Sequence, residues 1–237
     1  MTDHTAKAFD VDLQDIARLV SEMGGLTEKQ IGDAVDALSK QDEPLARRVI
    51  EIDAQVDHLQ REVEEKAVLT IARRQPMAVD LREVVGALRI ANDLERIGDL
   101  AKNIAKRVPA IDRDIQLQKV MRGVEHMADL VLTQVKDVLD SYARRDLDKA
   151  MAVWRGDEEI DAVNNSLFRE LLTYMMEDPR NITLCIHLLF CAKNIERMGD
   201  HATNIAETVY YMVEGHALVD ERPKGDTTAS AKIAMRQ

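Results

Sequence analysis

The stretch ANDLERIGDLAKNIAK, residues 91–106, returns as AKNIERMGDHATNIAE, residues 192–207. Glu95 pairs with Glu196, Asp99 with Asp200 and Asn103 with Asn204, each 101 residues further along. Upstream, DEPLARRVIEIDAQVD (42–57) and DLDKAMAVWRGDEEID (146–161) share an acidic pair, Asp53 and Asp57 against Asp157 and Asp161, at an offset of 104. Self-similarity on this scale marks a tandem duplication. The chain therefore reads as two three-helix units, residues 1 to about 109 and about 110 to 214, followed by a tail, 215–237.

Apolar residues recur at threes and fours throughout, and aromatic residues make up only 3% of the chain, so no segment reads as a strand. Proline and capping Asp or Asn divide the pattern into six helices, near 9–41, 45–74, 78–107, 112–143, 147–177 and 181–214. Helices of this length point to an all-α fold of two antiparallel three-helix bundles related by a pseudo-two-fold axis. Gly24 and Gly25 interrupt the first helix. They predict a kink, a close helix crossing, or two helices in place of one. Past Gly215 the periodicity is lost, and the tail is expected to be disordered or loosely docked.

Charge narrows the function. With 43 acidic and 32 basic residues the net charge is −11, which opposes nucleic acid and anionic membrane surfaces. The apolar run ITLCIHLLFCA (182–192) is far shorter than the roughly 20 residues needed to cross a bilayer. MTDHTAKAFDVD at the start lacks the apolar segment of a signal peptide, so a cytoplasmic location is expected. Cys185 and Cys191, six apart, fit neither a disulfide framework nor a Cys-x-x-Cys site and are expected to be buried free thiols.

At 100° per residue, Ile90, Leu94, Ile97, Ala101, Ile104 and Val108 form one apolar stripe, with Glu95, Asp99 and Asn103 opposite. Cys191, Ile195, Met198, Ala202, Ile205 and Val209 repeat the stripe, and Glu196, Asp200 and Asn204 again face away from it. Carboxylates one helical turn apart repel each other. A solvated face tempered by Lys102 and Lys106 would accommodate them. If the preceding helix also brings in its own acidic pair, four carboxylates converge and need cations. Oxygen donors with an Asn carbonyl in reach favour hard ions, Mg²⁺, Mn²⁺, Ca²⁺ or iron, over Zn²⁺. A ferritin-like di-iron centre would require Glu-x-x-His pairs, and none of the six histidines has a Glu three residues before it.

DLERIGDLAKNIA and NIERMGDHATNIAETV, with the Asp-x-x-x-Asp pairs, MGGL (23–26), QPMAVDLR (75–82) and VYYMVEGH (209–216), resemble the PhoU family of phosphate-transport accessory regulators, up to about residue 216. The resemblance implies two three-helix bundles that bind metal clusters, in a homodimer. Its ligands would be Asp53, Asp57, Glu95, Asp99 and Asn103 in one half, and Asp157, Asp161, Glu196, Asp200 and Asn204 in the other. It also implies a cytoplasmic regulator that restrains a high-affinity ABC phosphate transporter and helps a sensor histidine kinase silence the phosphate-starvation response. The transporter's ATPase subunit and the kinase would be its partners. The first copy has Leu100 where the second has His201, so the two sites are expected to differ if His201 assists.

Two other classes stand beside this one. The acidic faces could dock basic partner helices without metal. A dinuclear carboxylate site could activate water for phosphoester hydrolysis, although the sequence shows no Gly-rich phosphate cradle and no His base near the acids. The basic pairs Arg73–Arg74 and Arg144–Arg145 are candidate contacts to acidic partners, or simple complements to helix dipoles.

Overall fold

The computed structural model of the chain describes residues 2–111, 118–220 and 222, with side chains from residue 9 and, in the second stretch, from 119 onward. Six helices carry the fold: α1 (Thr2–Lys40), α2 (Glu43–Arg74), α3 (Val79–Ala105), α4 (Gln118–Arg144), α5 (Leu147–Glu177) and α6 (Ile182–Glu214). Among the described residues there is no strand, and no helix is long and apolar enough to cross a membrane. The first helix begins earlier than its pattern predicts, and the predicted start of the fourth, at 112–117, lies outside the described residues.

The duplication is visible in the turns. α1 ends on Gln41 and α4 on Arg145, both left-handed, with φ of 52° and 56°. Asp42 N–H then donates to Ala37 O at 2.9 Å, and Asp146 N–H to Ser141 O at 3.0 Å, closing the last helical turn in the same way. Each aspartate next caps the following helix: Asp42 Oδ1 accepts from Leu45 N–H at 2.9 Å and Asp146 Oδ1 from Lys149 N–H at 3.0 Å. Two-residue reversals of this kind force α1 against α2 and α4 against α5 as antiparallel neighbours.

Within each unit the three helices pack on one another; between units α3 lies on α6 and α1 on α4. Equivalent helices meet each other, as a pseudo-two-fold relation requires. The predicted stripes are buried: Ile90, Leu94, Ile97, Ala101, Ile104, Cys191, Ile195, Met198, Ala202, Ile205 and Val209 are all fully inside. One contiguous apolar core runs through both units. Cys185 and Cys191 are buried free thiols, and burial pushes the Cys191 thiol up to about 12.

α1 is a single helix, and Gly24 marks a close crossing in it. A Cβ there would lie 2.7 Å from Leu139 Cδ1 of α4. Nothing lies within 4 Å of the corresponding position at Gly25. Polar links tie the units together across α3 and α6. Arg107 stacks over Phe190 at 4.3 Å and its Nη1 lies 3.3 Å from His187 Nδ1. Arg145 pairs with Glu83 and donates to Tyr142 O, while Arg74 pairs with Asp12 at 2.9 Å. One member of each basic pair is thus spent inside the fold; Arg73 and Arg144 are exposed.

Candidate functional site

The acidic pairs of α2 and α3 face one another across the first unit. Asp53 is buried, with Asp57, Glu95 and Asp99 half-buried. Helix periodicity alone places the carboxylates opposite the core. They lie instead in the inter-helix groove, because three packed helices bury more of each circumference than one stripe. Lys102 bridges the helices, its Nζ 2.5 Å from Asp53 Oδ2 and 2.5 Å from Asp99 Oδ1. Burial alone would depress the Lys102 ammonium, but hydrogen bonds to the two aspartates raise it well above the usual lysine range. Glu95 is less well served. Arg96 Nε is 3.4 Å from its Oε2, which is buried and accepts no hydrogen bond. Burial, then the charges of Asp99, Asp57 and Asp53, hold its carboxyl above the ordinary range despite Arg96.

The second unit repeats the acids and changes the cation. Asp157, Asp161 and Glu196 are buried and Asp200 is half-buried. The counterpart of Lys102, 101 residues on, is Thr203, whose Oγ1 donates to Asp157 Oδ1 at 3.4 Å and to Gly199 O at 3.0 Å. The positive charge comes from beyond the repeat. Arg222 Nε donates to Asp157 Oδ2 at 3.1 Å, and its Nη2 lies 3.0 Å from the same oxygen and 2.8 Å from Asp200 Oδ1. Glu196 Oε1 pairs with Lys193 at 2.8 Å while Oε2 is buried without a hydrogen bond. Burial is the main reason its carboxyl is raised, opposed by Lys193 and reinforced by Asp200 and Asp161.

The two asparagines part company. Asn103 is exposed, whereas Asn204 Nδ2 lies 3.4 Å from Asp93 Oδ1. His201 Nδ1 is 2.8 Å from the same Asp93 oxygen. His201 and Asn204 therefore cross from α6 to α3 and fasten the two units, away from the aspartates they neighbour in sequence. The tail, to which the sequence assigns no role, supplies Arg222; its other residues beyond 220 lie outside the described residues.

Two buried glutamines complete the clusters. Gln30 on α1 and Gln134 on α4 each carry an Oε1 without a hydrogen-bond partner. Leaving such a buried acceptor unmade costs about 1–3 kcal/mol. The offset of 104 that relates Asp53 to Asp157 also relates these two residues, and that register is the signal that finds them in the sequence.

Among the described residues no three His, Cys, Asp or Glu side chains converge closely enough to hold a metal ion, and in this arrangement Lys102 and Arg222 neutralise the aspartates. The donor chemistry nonetheless suits a hard cation. Each cluster is all oxygen, and each holds two buried oxygens without a hydrogen bond: Glu95 Oε2 and Gln30 Oε1 in one, Glu196 Oε2 and Gln134 Oε1 in the other.

A family model described as PhoU domain matches the chain twice, at residues 20–108 and 124–209. The chain is 58% identical over 227 residues to a Rhizobium meliloti (strain 1021) protein named phosphate-specific transport system accessory protein PhoU homolog, covering 96% of each. It is 50% identical over 226 residues to a Caulobacter vibrioides (strain NA1000 / CB15N) protein of the same name, covering 95% of this chain and 98% of that one. The crystal structure of PhoU from Pseudomonas aeruginosa superposes with a TM-score of 0.84 at 41% identity, over 88% of this chain and 100% of that chain. Matched in both halves and along nearly its whole length, the chain belongs to the PhoU family.

Proposed function

We propose that the chain is an accessory regulator of a phosphate-specific transport system. In this reading it restrains a high-affinity ABC phosphate transporter through the ATPase subunit and helps a phosphate-sensing histidine kinase end the starvation response when phosphate is plentiful. The observation that carries it is the near-complete match to relatives named as accessory proteins of that system. A non-enzymatic role follows from the same match, since those relatives are named as accessory proteins. The protein acts in the cytoplasm as a homodimer. Deleting its gene should leave phosphate uptake and a starvation-promoter reporter high in phosphate-rich medium, with both restored by the wild-type chain. Normal shut-off in the deletion strain would contradict the reading.

The same proposal assigns a hard cation, Mg²⁺, Mn²⁺ or iron ahead of Zn²⁺, to each cluster. Asp53, Asp57, Glu95 and Asp99 would hold it in the first unit, and Asp157, Asp161, Glu196 and Asp200 in the second. Bound there, it would supply the positive charge that now comes from Lys102 and Arg222 and would tie the second helix of each unit to the third. Asn103, which is exposed, and Asn204, whose Nδ2 lies 3.4 Å from Asp93 Oδ1, would join these sets only by turning toward them. A metal-independent adaptor is the second reading. What favours it is that Asp53, Asp99, Asp157 and Asp200 are already paired with Lys102 or Arg222, so each groove can receive a basic side chain in place of an ion.

A further inference from the structure

We propose that Gln30 and Gln134 are the inner, neutral ligands of the two cation sites, each giving its amide oxygen to a hard divalent ion shared with Asp53 or Asp157. The inference rests on the metal reading above and adds residues that lie outside the acidic motifs, on the first helix of each unit.

The placement is the same twice. Gln30 is fully buried and Gln134 is 8% exposed, and each stands with its oxygen toward the glycine of the acidic phrase. A Cβ on Gly98 would sit 2.9 Å from Gln30 Oε1 and 3.8 Å from Asp53 Oδ1; one on Gly199 would sit 3.6 Å from Gln134 Oε1 and 3.7 Å from Asp157 Oδ1. The absent side chain in Glu-Arg-x-Gly-Asp thus leaves room for the amide oxygen beside the carboxylate. The amide nitrogens turn the other way, toward the middle helix: Gln30 Nε2 donates to Val49 O at 3.4 Å, and Gln134 Nε2 lies 3.1 Å from where a Cβ on Gly156 would be. In Gln30 that bond sets the oxygen on the site side, and Gln134 has the same orientation. Lys102 and Arg222 occupy Oδ2 of Asp53 and Asp157, while the glutamines lie on the Oδ1 side. A buried amide oxygen with no donor, facing the same glycine as a carboxylate oxygen, is an arrangement that a shared cation satisfies; in the second unit Thr203 already donates to that carboxylate oxygen, and the Gln134 oxygen is the one left without a partner. Leucine would fill the same volume without that defect, yet both copies carry glutamine.

The test is calorimetric titration of the full-length, chelator-treated chain with Mn²⁺ and then Mg²⁺, alongside Gln30→Leu and Gln134→Leu, with thermal melts of every metal-free sample. Wild type should show two sites. Each Leu variant should weaken one of them roughly tenfold or more, leave the other, and melt at or above the wild-type temperature when metal-free. Gln30→Glu and Gln134→Glu, which keep an oxygen, should retain the affinity. Unchanged Mn²⁺ affinity in the Leu variants would overturn the inference, leaving the oxygens as acceptors for water. A lower metal-free melting temperature with unchanged affinity would overturn it too, making the glutamines structural. A wild-type chain that binds neither ion removes the metal reading along with the inference, whereas a wild-type chain that binds beside unchanged Leu variants removes the inference alone.

Discussion

The two units hold the same acids and neutralise them differently. In the first, the counter-charge is Lys102, three residues from Asp99 on the same helix. In the second, Thr203 stands at that position and Arg222 arrives from beyond the last helix. The two units thus share the carboxylates but not the source of the counter-charge, which in the second lies outside the repeat. This difference makes the first site self-contained and the second dependent on the segment after Gly215.

The largest expected effect follows from removing those cations. Lys102→Ala should destabilise the metal-free protein by about 2–3 kcal/mol, somewhat below the loss for breaking a fully buried pair, as read by chemical denaturation. Arg222→Ala should cost roughly 1–2 kcal/mol, because losing the pair also releases the ordering entropy of the segment that carries it. Thr203→Lys should rescue Arg222→Ala by rebuilding the first unit's solution in the second. If the Thr203→Lys rescue failed, the equivalence of the two sites would be broken.

The seam between the units gives the next contrast. His201 reaches Asp93 across α3 and α6, whereas its counterpart Leu100 is an apolar core residue. His201→Leu should lower stability by about 1–2 kcal/mol by leaving Asp93 short of a partner and should leave Mn²⁺ affinity alone in the same titration. A large drop in second-site affinity would instead put His201 in the site.

The two raised glutamates predict a pH signature common to both halves. Glu95 and Glu196 hold their protons above the ordinary value of 4.5, by burial first and neighbouring acids after. The folded state therefore binds protons more tightly than the unfolded chain at these groups. Their contribution to stability is present at low pH and lost as pH rises from 4.5 through the raised values. Measured against Glu95→Gln/Glu196→Gln, the metal-free wild type should lose melting temperature over that rise. Added Mn²⁺ should reverse the trend, because it requires the deprotonated form.

The smallest effects separate the asparagines. Asn103→Ala should change stability by less than about 0.5 kcal/mol, as exposed positions do. Asn204→Ala should cost about 0.5–1.5 kcal/mol for its bond to Asp93. Equal effects would mean that the two motifs are used alike.

What was legible in the sequence follows from what helical periodicity encodes. The stripe from Ile90 to Ile104 and its copy from Cys191 to Val209 gave the buried faces, and the expectation that capping Asp residues divide the helices is met by Asp42 and Asp146. The repeat register paired the acids and, read further, pairs Gln30 with Gln134. Periodicity says nothing about which neighbour a side chain reaches. Hence the crossing of His201 to Asp93, the return of Arg222 to Asp157 and the half-burial of carboxylates expected opposite the core emerge only when the helices are packed. Gly24 illustrates the same limit: its meaning depends on Leu139, 115 residues away in sequence.

Whether the repeated acidic phrase encodes two cation sites is decided by elemental analysis of untagged protein purified without chelator, beside Glu95→Gln/Asp99→Asn/Glu196→Gln/Asp200→Asn. Mn, Mg or Fe is expected in the native protein, lost in the variant together with any stabilisation that added metal confers. A native protein that carries no metal, and whose melting temperature added Mn²⁺, Mg²⁺ and iron leave unmoved, would contradict the two-site reading and make the phrase a docking face.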